Sequence, residues 1–552
     1  MVYCKCAGLS ARISSMIDSD HMNDLSTKNP RTTLIEALGH ARCYAHPVSR
    51  IEILETHISW VILTGQYAYK IKKPVNLGFL DFSTLDKRRF CCQEELRLNR
   101  RFAPQLYLDV VNITGTIERP AVDGDGSAIE YAVKMRQFCQ NELASRLLAA
   151  GKLTPQQLGQ FAAALSAFHA GALPAGPADG FGTPKSVLEL ALQNFTQLFS
   201  LPGLRADASA LESLHGWTVQ EHNMQQTMFE ERVKAGAVRE CHGDLHLGNI
   251  VSISGALIPF DCIEFNPALR WNDVMSEAAF LIMDLHDRGH PELAWLFLNT
   301  YLEHTGDYAG LSLLRFYLVY RAMVRAKVHG IRAHQPQLKG ADRLRLLEAC
   351  RKYLVLAAAF SRPARPVLVI AHGLSGSGKS RITEELTQRF GAVRIRSDVE
   401  RKRRHGLAPE ARGSSSIAAG MYSDRATREL YGRLAELARN TLDAGHTTII
   451  DATFLKGWQR DLLRDLAKSV AVPFLIADIT AAESVLRMRI EQRALNGRDA
   501  SDAGVTVLEH QLATRDPLTA EELSASVTIS SDAAGPHACC EPLLYALRRL
   551  AA

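Results

Sequence analysis

The segment GLSGSGKS at residues 373–380 decides the fold of the C-terminal part of this 552-residue chain. An apolar run at residues 367–371 precedes it, and a helical pattern at residues 381–390 follows it. Glycines at these spacings let backbone N–H groups surround a phosphate at the start of a helix. The sequence therefore predicts a strand, a phosphate-binding loop and a helix, which together open an α/β domain with a parallel sheet.

The residues of this loop are expected to bind ATP, and two of them have specific predicted roles. Lys379 neutralises the β and γ phosphates and takes part in catalysis, while Ser380 ligates Mg²⁺. The predicted nucleotide-binding residues are Gly373, Leu374, Ser375, Gly376, Ser377, Gly378, Lys379 and Ser380.

Polar residues farther along the chain complete this predicted site. Asp451 ends the apolar run 447–450 and is predicted to hold the magnesium shell. Asp398 follows a short predicted strand, where a carboxylate can act as general base toward an acceptor hydroxyl. Arg489 and Arg493 lie four residues apart on one helix face and are predicted to close over the phosphates. The alternative for the two arginines is an ordinary solvent-exposed basic helix.

Three motifs give this part of the chain its family resemblance. They are GLSGSGKS, RSDVER at residues 396–401 and IIDATF at residues 449–454. With them, residues 366–552 resemble P-loop kinases of the gluconate kinase, zeta toxin and polynucleotide kinase type. The resemblance implies that Asp398 contacts the acceptor hydroxyl and that arginines of a lid helix contact ATP. The acceptor differs across this group, so no substrate follows from it.

A second motif, HGDLHLGN at residues 242–249, predicts a separate phosphotransfer site. Its spacing fits the catalytic loop H-x-D-L-x-x-x-N. Asp244 can orient or deprotonate an acceptor hydroxyl, and Asn249 can turn its amide oxygen toward Mg²⁺. A hairpin predicted around residues 254–255 brings Asp261 back beside Asn249 as the second metal ligand.

Such a site also needs a lysine on a sheet to bind the α and β phosphates. The strand-like residues 67–72 offer Lys70 and Lys72, which the period of two places on one face, while Lys73 cannot share that face. Either lysine can point into the cleft, and we favour Lys70.

The partner of this lysine is expected on the helix that follows. Ser83 is predicted to cap that helix, with Asp86 three residues on as in a capping box. The predicted ion-pair partner is Glu95, and Glu94 is the alternative.

The region from residue 51 to 325 resembles the aminoglycoside phosphotransferase and choline kinase superfamily in the order and spacing of these motifs. Taken with the P-loop, almost the whole chain after residue 33 resembles bacterial proteins that join the two kinds of domain. The resemblance implies ATP binding and an α+β protein-kinase-like bilobal domain followed by an α/β P-loop NTPase domain with a parallel sheet. Its shared Glu264, Asn266 and Asp273 are expected to line or brace the first cleft.

These motifs and the composition of the connecting segments suggest five parts of the chain. They are a flexible N-terminal extension (1–30), an N-lobe (31–136), a mainly helical C-lobe (137–360), a linker (361–366) and a P-loop kinase domain (367–552).

Composition excludes several classes of protein. With 47% hydrophobic and 22% charged residues and a net charge of +5, the chain is neither disordered nor fibrous. It has no apolar run long enough for a membrane span and no apolar signal-peptide core, so we expect it in the cytoplasm. The 11 cysteines form no C-x-x-C spacing, which argues against zinc-ribbon and thioredoxin-type sites. Oligomeric state does not follow from the sequence.

The leading hypothesis is a bifunctional, Mg²⁺- and ATP-dependent phosphotransferase with two nucleotide sites and small hydroxyl acceptors such as sugars, amino alcohols or nucleosides. One alternative is a single catalytic domain regulated by ATP binding at the other. Another is a kinase of nucleic-acid ends, because residues 394–404 hold six basic side chains. We favour the small acceptor over nucleic acid, because no aromatic stacking platform is interleaved with these charges.

Overall fold

The computed structural model describes residues 30–56, 58–76, 78, 80–176, 178–335, 338, 340–409, 411, 423–496, 504–532 and 535–552. The side chains of residues 30–32, 493–496 and 536 are also outside the description. The predicted N-terminal extension therefore lies outside the described residues, except for the backbone of Pro30.

The chain forms two compact units. The first comprises Met1–Gln157, Ala172–Phe181 and Val238–Glu277. The second comprises Leu158–Gly171, Gly182–Ala237 and Ala278–Ala552, so it contains both the predicted P-loop domain and most of the helices predicted for the C-lobe.

A six-stranded antiparallel sheet organises the first unit, with strand order β1-β2-β3-β6-β4-β5. The strands are β1 (Glu52–Glu55), β2 (Ser59–Leu63), β3 (Tyr67–Lys72), β4 (Tyr107–Gly115), β5 (Pro120–Val122) and β6 (Glu130–Arg136).

Both faces of this sheet are covered, because successive side chains of a strand point to opposite sides. Val61 packs in a cluster with Cys92 of helix α2 (Leu85–Asn99). Ile62, the next residue, packs in another cluster with Leu34 of helix α1 (Pro30–Ala37).

The N-terminal cap of α2 differs from the prediction by one residue. Thr84 accepts a hydrogen bond from the Lys87 N–H at 3.3 Å, so Thr84 and not Ser83 is the capping residue. The Ser83 N–H instead donates to the Asp81 carboxylate at 2.9 Å, in a turn that precedes the helix.

The rest of the first unit carries the HGDLHLGN loop between short strands. The strands are β7 (Val238–Glu240), β8 (Ile250–Ile253), β9 (Ala256–Pro259) and β10 (Trp271–Asp273), and the helices are α3 (Ala144–Ala149) and α8 (Pro267–Arg270). Strands β8 and β9 form the predicted hairpin, and β7 pairs with β10.

Helices dominate the part of the second unit that precedes the P-loop. Two of them begin in the first unit, namely α4 (Pro155–Gly171) and α9 (Val274–Asp287). The others are α5 (Pro184–Phe199), α6 (Ala208–Met224), α7 (Gln226–Lys234), α10 (Pro291–Thr305), α11 (Leu311–Ala333) and α12 (Ala341–Ser361).

A five-stranded sheet, parallel throughout, follows in the second unit, with strand order β12-β13-β11-β14-β15. The strands are β11 (Leu368–His372), β12 (Val393–Arg396), β13 (Thr448–Asp451), β14 (Phe474–Thr480) and β15 (Ser526–Ser530). The accompanying helices are α13 (Lys379–Leu386), α14 (Ser397–Arg404), α15 (Asp424–Asp443), α16 (Gly457–Ser469), α17 (Glu483–Asn496), α18 (Val505–Thr514), α19 (Ala520–Ser524), α20 (Pro536–Cys539) and α21 (Glu541–Ala551).

The predicted fold class is confirmed by these two sheets. The first is a mixed helix and strand arrangement around an antiparallel sheet, and the second is a parallel sheet whose central strand β11 leads directly into the phosphate-binding loop. Within the described ranges, no helix combines the length and the apolar character needed to cross a bilayer.

A buried ion pair fixes α2 against the first sheet. Arg88 of α2 donates from Nε to both carboxylate oxygens of Glu130 on β6, at 2.8 and 3.0 Å. Arg88→Ala should lower the free energy of unfolding of the first unit by about 3–5 kcal/mol, because it leaves the Glu130 charge buried without a partner. Urea denaturation followed by circular dichroism measures this change.

The neighbouring residue provides the control for this prediction. Lys87 pairs with Asp81 at the surface, so Lys87→Ala should change stability little. Equal losses for Arg88→Ala and Lys87→Ala would contradict the assignment of Arg88 as the anchor of α2.

Candidate functional site

Two lysines of β3 share one glutamate in the interior of the first unit. Lys70 Nζ lies 2.7 Å from Glu95 Oε1, and Lys72 Nζ lies 2.7 Å from Glu95 Oε2. All three side chains are buried. The alternative partner, Glu94, is instead within 2.9 Å of Arg97 and 3.4 Å of Arg270. The structure thus brings the favoured pair, Lys70 and Glu95, together.

Each lysine also contacts a carboxylate from the segment after the HGDLHLGN loop. Lys70 donates to Asp261, and Lys72 donates to Glu264. Burial opposes the charge on Lys70, but the carboxylates of Asp261 and Glu95 raise its pKa well above the usual range. Although burial raises the pKa of Asp261, the Lys70 ammonium lowers it below its usual value. Both groups therefore remain charged, and the Lys72–Glu264 pair is a feature that sequence reasoning missed.

The backbone of Asp261 is held in an uncommon conformation. Its φ of 68° is left-handed, which is rare for a residue other than glycine. The Asp261 N–H donates to Tyr107 Oη at 3.0 Å, and the Cys262 N–H donates to Asn99 Oδ1 at 3.0 Å. These two contacts from the sheet and from α2 offset the strain and aim the Asp261 carboxylate at Lys70.

Asn249 and Asp244 are joined by hydrogen bonds across the loop. Asn249 Nδ2 donates to both the backbone oxygen and the Oδ2 atom of Asp244, at 3.0 Å each. The amide nitrogen therefore faces Asp244, and the amide oxygen is the atom that can bind a cation. The carboxylate of Asp244 itself is 16% exposed, which lets it meet an acceptor.

Two buried side chains brace this loop. His242 Nε2 lies 2.8 Å from the Phe260 oxygen, and the Asp244 N–H donates to His242 Nδ1 at 3.3 Å. Burial lowers the pKa of His242, so the ring is neutral, with its proton on Nε2. Glu277 accepts from the N–H groups of His242 and Gly243 at 2.7 and 3.0 Å. The sequence gives no signal for Glu277, because this residue lies on α9 and belongs to none of the motifs described above.

The three residues that were expected to line or brace the first cleft lie in different surroundings. Glu264 lies in the buried cluster with Lys72. Asn266 accepts from the Ala268 N–H at 3.0 Å and caps α8, while Asp273 accepts from the Met275 N–H at 2.8 Å at the start of α9. Glu264 therefore lines the site, and the other two shape the backbone around it.

The donor set of the first unit fits a magnesium ion. Asp261 offers a carboxylate and Asn249 an amide oxygen, and hard oxygen donors are the ligands that Mg²⁺ prefers. The ammonium of Lys70 already contacts Asp261, so this carboxylate has a cationic neighbour in the absence of metal.

The glycine-rich loop of the second unit has the geometry expected of a phosphate-binding loop. Gly373 has a φ of 145°, and a Cβ there would lie 2.3 Å from the Ile479 oxygen, so only glycine fits. Lys379 Nζ donates to the oxygens of Gly373 and Leu374 at 2.8 and 2.7 Å. Its ammonium therefore lies across the loop whose N–H groups would bind phosphate.

Asp451 lies beside the helix that begins at the loop. Its Oδ2 accepts from Thr383 Oγ1 at 3.3 Å, and Thr383 follows Ser380 on α13. The Asp451 carboxylate and the Ser380 hydroxyl are both oxygen donors of the kind that Mg²⁺ accepts, so this donor set also fits the ion.

The predicted general base and one of the two predicted lid arginines can be located in the structure. Asp398 lies in the first turn of α14, two residues after Arg396, whose register partner on β13 is Asp451. Arg489 Nη1 lies 3.4 Å from the Gly376 oxygen, so this arginine reaches the loop. The Arg493 side chain lies outside the described residues.

Most of the predicted basic run at residues 394–404 is engaged inside the protein. Four of its six basic side chains contact buried or partly buried oxygens, namely Arg394, Arg396, Lys402 and Arg403, while Arg404 pairs with Glu429 at the surface. Such pairing is unlike the open cationic groove that tracks a nucleic-acid backbone.

The neutral state of His242 generates a pH prediction. The pKa of His242 in the folded protein lies below the usual histidine value of 6.5, so protonation favours the unfolded state. The stabilising contribution is complete above about pH 6.5 and decreases as the pH falls below it. His242→Gln should weaken the acid dependence of stability, as measured by urea denaturation across this range. The partly exposed His290 is the control, and an equal effect of His290→Gln would contradict the prediction.

Comparison with solved structures finds proteins similar to each part of the chain. A gluconokinase from Sinorhizobium meliloti is 22% identical, with 34% of this chain and 95% of that chain covered and a TM-score of 0.25. A choline/ethanolamine kinase family protein from Mesorhizobium loti is 13% identical, with 60% and 98% covered and a TM-score of 0.34.

Sequence comparison identifies a domain family and relatives that match most of the chain. Residues 368–518 match the AAA domain model AAA_33. An uncharacterized protein of Mycobacterium tuberculosis is 30% identical over 462 residues, which cover 83% of this chain and 90% of the relative, and a protein of Mycobacterium bovis matches equally. The chain therefore belongs to the same bacterial family as these mycobacterial proteins, and its C-terminal part carries the matched AAA domain.

Proposed function

We propose that the protein is an ATP- and Mg²⁺-dependent phosphotransferase with two nucleotide sites, each transferring the γ-phosphate to a hydroxyl group of a small polar acceptor. The observation that carries this proposal is the buried cluster of Lys70, Glu95 and Asp261 next to the Asp244–Asn249 loop. These are the charges that phosphoryl transfer requires, because it depends mainly on positioning and on neutralising phosphate charge.

In the first site, the cluster supplies both signs of charge. Lys70, held by Glu95, binds the α and β phosphates, while Asp261 and Asn249 hold the metal ion. The bound ion supplies charge neutralisation at the phosphates. Asp244 orients the acceptor hydroxyl and accepts its proton, and His242 keeps the loop in place from behind.

In the second site, the loop at residues 373–380 binds the phosphates through backbone N–H groups and Lys379. Ser380 and Asp451 hold the metal ion, Asp398 accepts the proton of the acceptor hydroxyl, and Arg489 neutralises charge from the lid helix. Because most of the basic run is engaged in buried or partly buried contacts, we favour a small acceptor over a nucleic-acid end.

Asp244→Ala should reduce formation of the product of the first site by about 10²–10⁴-fold, because the acceptor hydroxyl loses its general base. Phosphorylated species made from a metabolite extract, measured by mass spectrometry, report this loss. The exposed residue Asp125 is the control, and Asp125→Ala should leave every product unchanged.

Lys379→Ala should abolish a different product, because the β and γ phosphates lose their cation in the second site. The same extract assay and equilibrium binding of ATP measure the effect, with Lys468→Ala at the exposed end of α16 as the control. If Lys379→Ala weakens ATP binding but removes no product, the second site regulates the first and does not catalyse.

A further inference from the structure

Two arginines on the edge strand of the parallel sheet reach the second nucleotide site. Arg394 and Arg396 lie on one face of β12, because the strand alternates its side chains. Arg394 Nη1 donates to the Ser380 oxygen at 3.0 Å, at the start of the P-loop helix. Arg396 Nε lies 3.8 Å from Asp451 Oδ2. Both arginines thus contact residues that we assign to the metal site.

The counter-charge for these arginines comes from a helix that precedes the P-loop domain. Glu303 of α10 accepts from Arg394 Nη2 at 2.8 Å and from Arg396 Nη1 at 3.4 Å. Glu303 is 9% exposed and Arg394 8% exposed, so the contact is within the interior of the second unit. Although burial raises the pKa of Glu303, Arg394 and Arg396 lower it below its usual range, and the carboxylate stays charged.

The backbone of β12 is fixed to the same helix. Asn299 of α10 accepts from the Arg394 N–H at 2.6 Å and donates to the Ala392 oxygen at 2.9 Å. One side chain therefore pairs with two backbone groups on the outer edge of the sheet, which otherwise would lack partners.

The C-terminal end of α10 is held by a side chain of α14. Arg403 of α14 donates to the Glu303 oxygen at 2.7 Å, where a cation interacts favourably with the helix C-terminus. Gly306 ends α10 with a φ of 71°, and a Cβ there would lie 2.8 Å from Arg403 Nη1. The position of Glu303 relative to β12 is therefore set by contacts on both sides.

We infer that Glu303 is a positioning residue of the P-loop nucleotide site, which holds Arg396 back from the magnesium-binding carboxylate Asp451. Arg396 lies between the two carboxylates, and each of them attracts the same guanidinium. Without Glu303, Arg396 would pair fully with Asp451 and compete with the metal ion. This inference rests on the proposed role of Asp451, and it means that the P-loop site depends on a residue outside the P-loop domain.

The test is the Mg²⁺ dependence of ATP binding by the full-length chain. Binding that disappears in Lys379→Ala reports the P-loop site, and binding that remains reports the first site. Glu303→Gln should raise the Mg²⁺ concentration for half-maximal Lys379-dependent binding by roughly tenfold, because a charge pair at this distance is strong in the interior. Binding at the first site should not change.

A second substitution distinguishes positioning from a structural effect. In Glu303→Gln combined with Arg396→Gln, the competing cation is absent, so the Mg²⁺ requirement should return to that of the parent chain or fall below it. A general loss of packing would not be rescued in this way. Glu429→Gln is the matched control, because it removes a carboxylate from the exposed pair with Arg404 and should leave the requirement unchanged.

Each outcome decides the inference. An Mg²⁺ requirement within twofold of the parent in Glu303→Gln, or a failed rescue, overturns the role of Glu303 and leaves the proposed function intact. If Lys379→Ala removes no ATP binding at all, the proposed P-loop site fails, and this inference fails with it. If Glu303→Gln does not fold, Arg396→Gln alone should lower the Mg²⁺ requirement, and an unchanged requirement overturns the inference.

Discussion

The pairing of buried charges is the constraint on which both sites of this protein depend. A lysine or arginine inside a protein is costly unless a carboxylate compensates it. In the first unit, Glu95 meets this requirement for Lys70 and Lys72 together, with Asp261 and Glu264 completing the cluster. The same groups that stabilise one another in the interior are those that would bind phosphate and metal, so stability and function share one set of charges.

The loop that carries Asp244 shows how rigid positioning is achieved with few residues. His242 bonds in its neutral form to the Phe260 oxygen, and Glu277 binds two successive N–H groups of the loop. Asp261, at a left-handed backbone position, is held by Tyr107. Because these braces are buried, the loop geometry exists before any ligand binds, which is what catalysis by positioning requires.

In the second unit, the positive charges on the edge strand of the parallel sheet are compensated from outside the sheet. Arg394 and Arg396 on the edge strand find their carboxylate on α10, a helix that precedes the P-loop domain in the chain. The helix and the sheet therefore form one compact unit, in agreement with the division of the chain. A domain boundary at residue 366, which the composition of the linker suggests, remains a prediction.

The sequence by itself predicted the two motifs and the fold class, and it restricted the lysine–glutamate pair to Lys70 or Lys72 with Glu95 or Glu94. These predictions depend on local spacing: a period of two in a strand, a glycine-rich turn before a helix and an Asp–Asn separation in a loop. The structure then showed that Glu95 contacts both lysines. Only the tertiary structure decided that Lys72 pairs with Glu264, 192 residues away, that Glu277 braces the loop, and that Glu303 binds Arg394, 91 residues away. Such contacts arise from the packing of distant elements, and the periodicity of a single segment contains no information about which distant charge will neutralise its own.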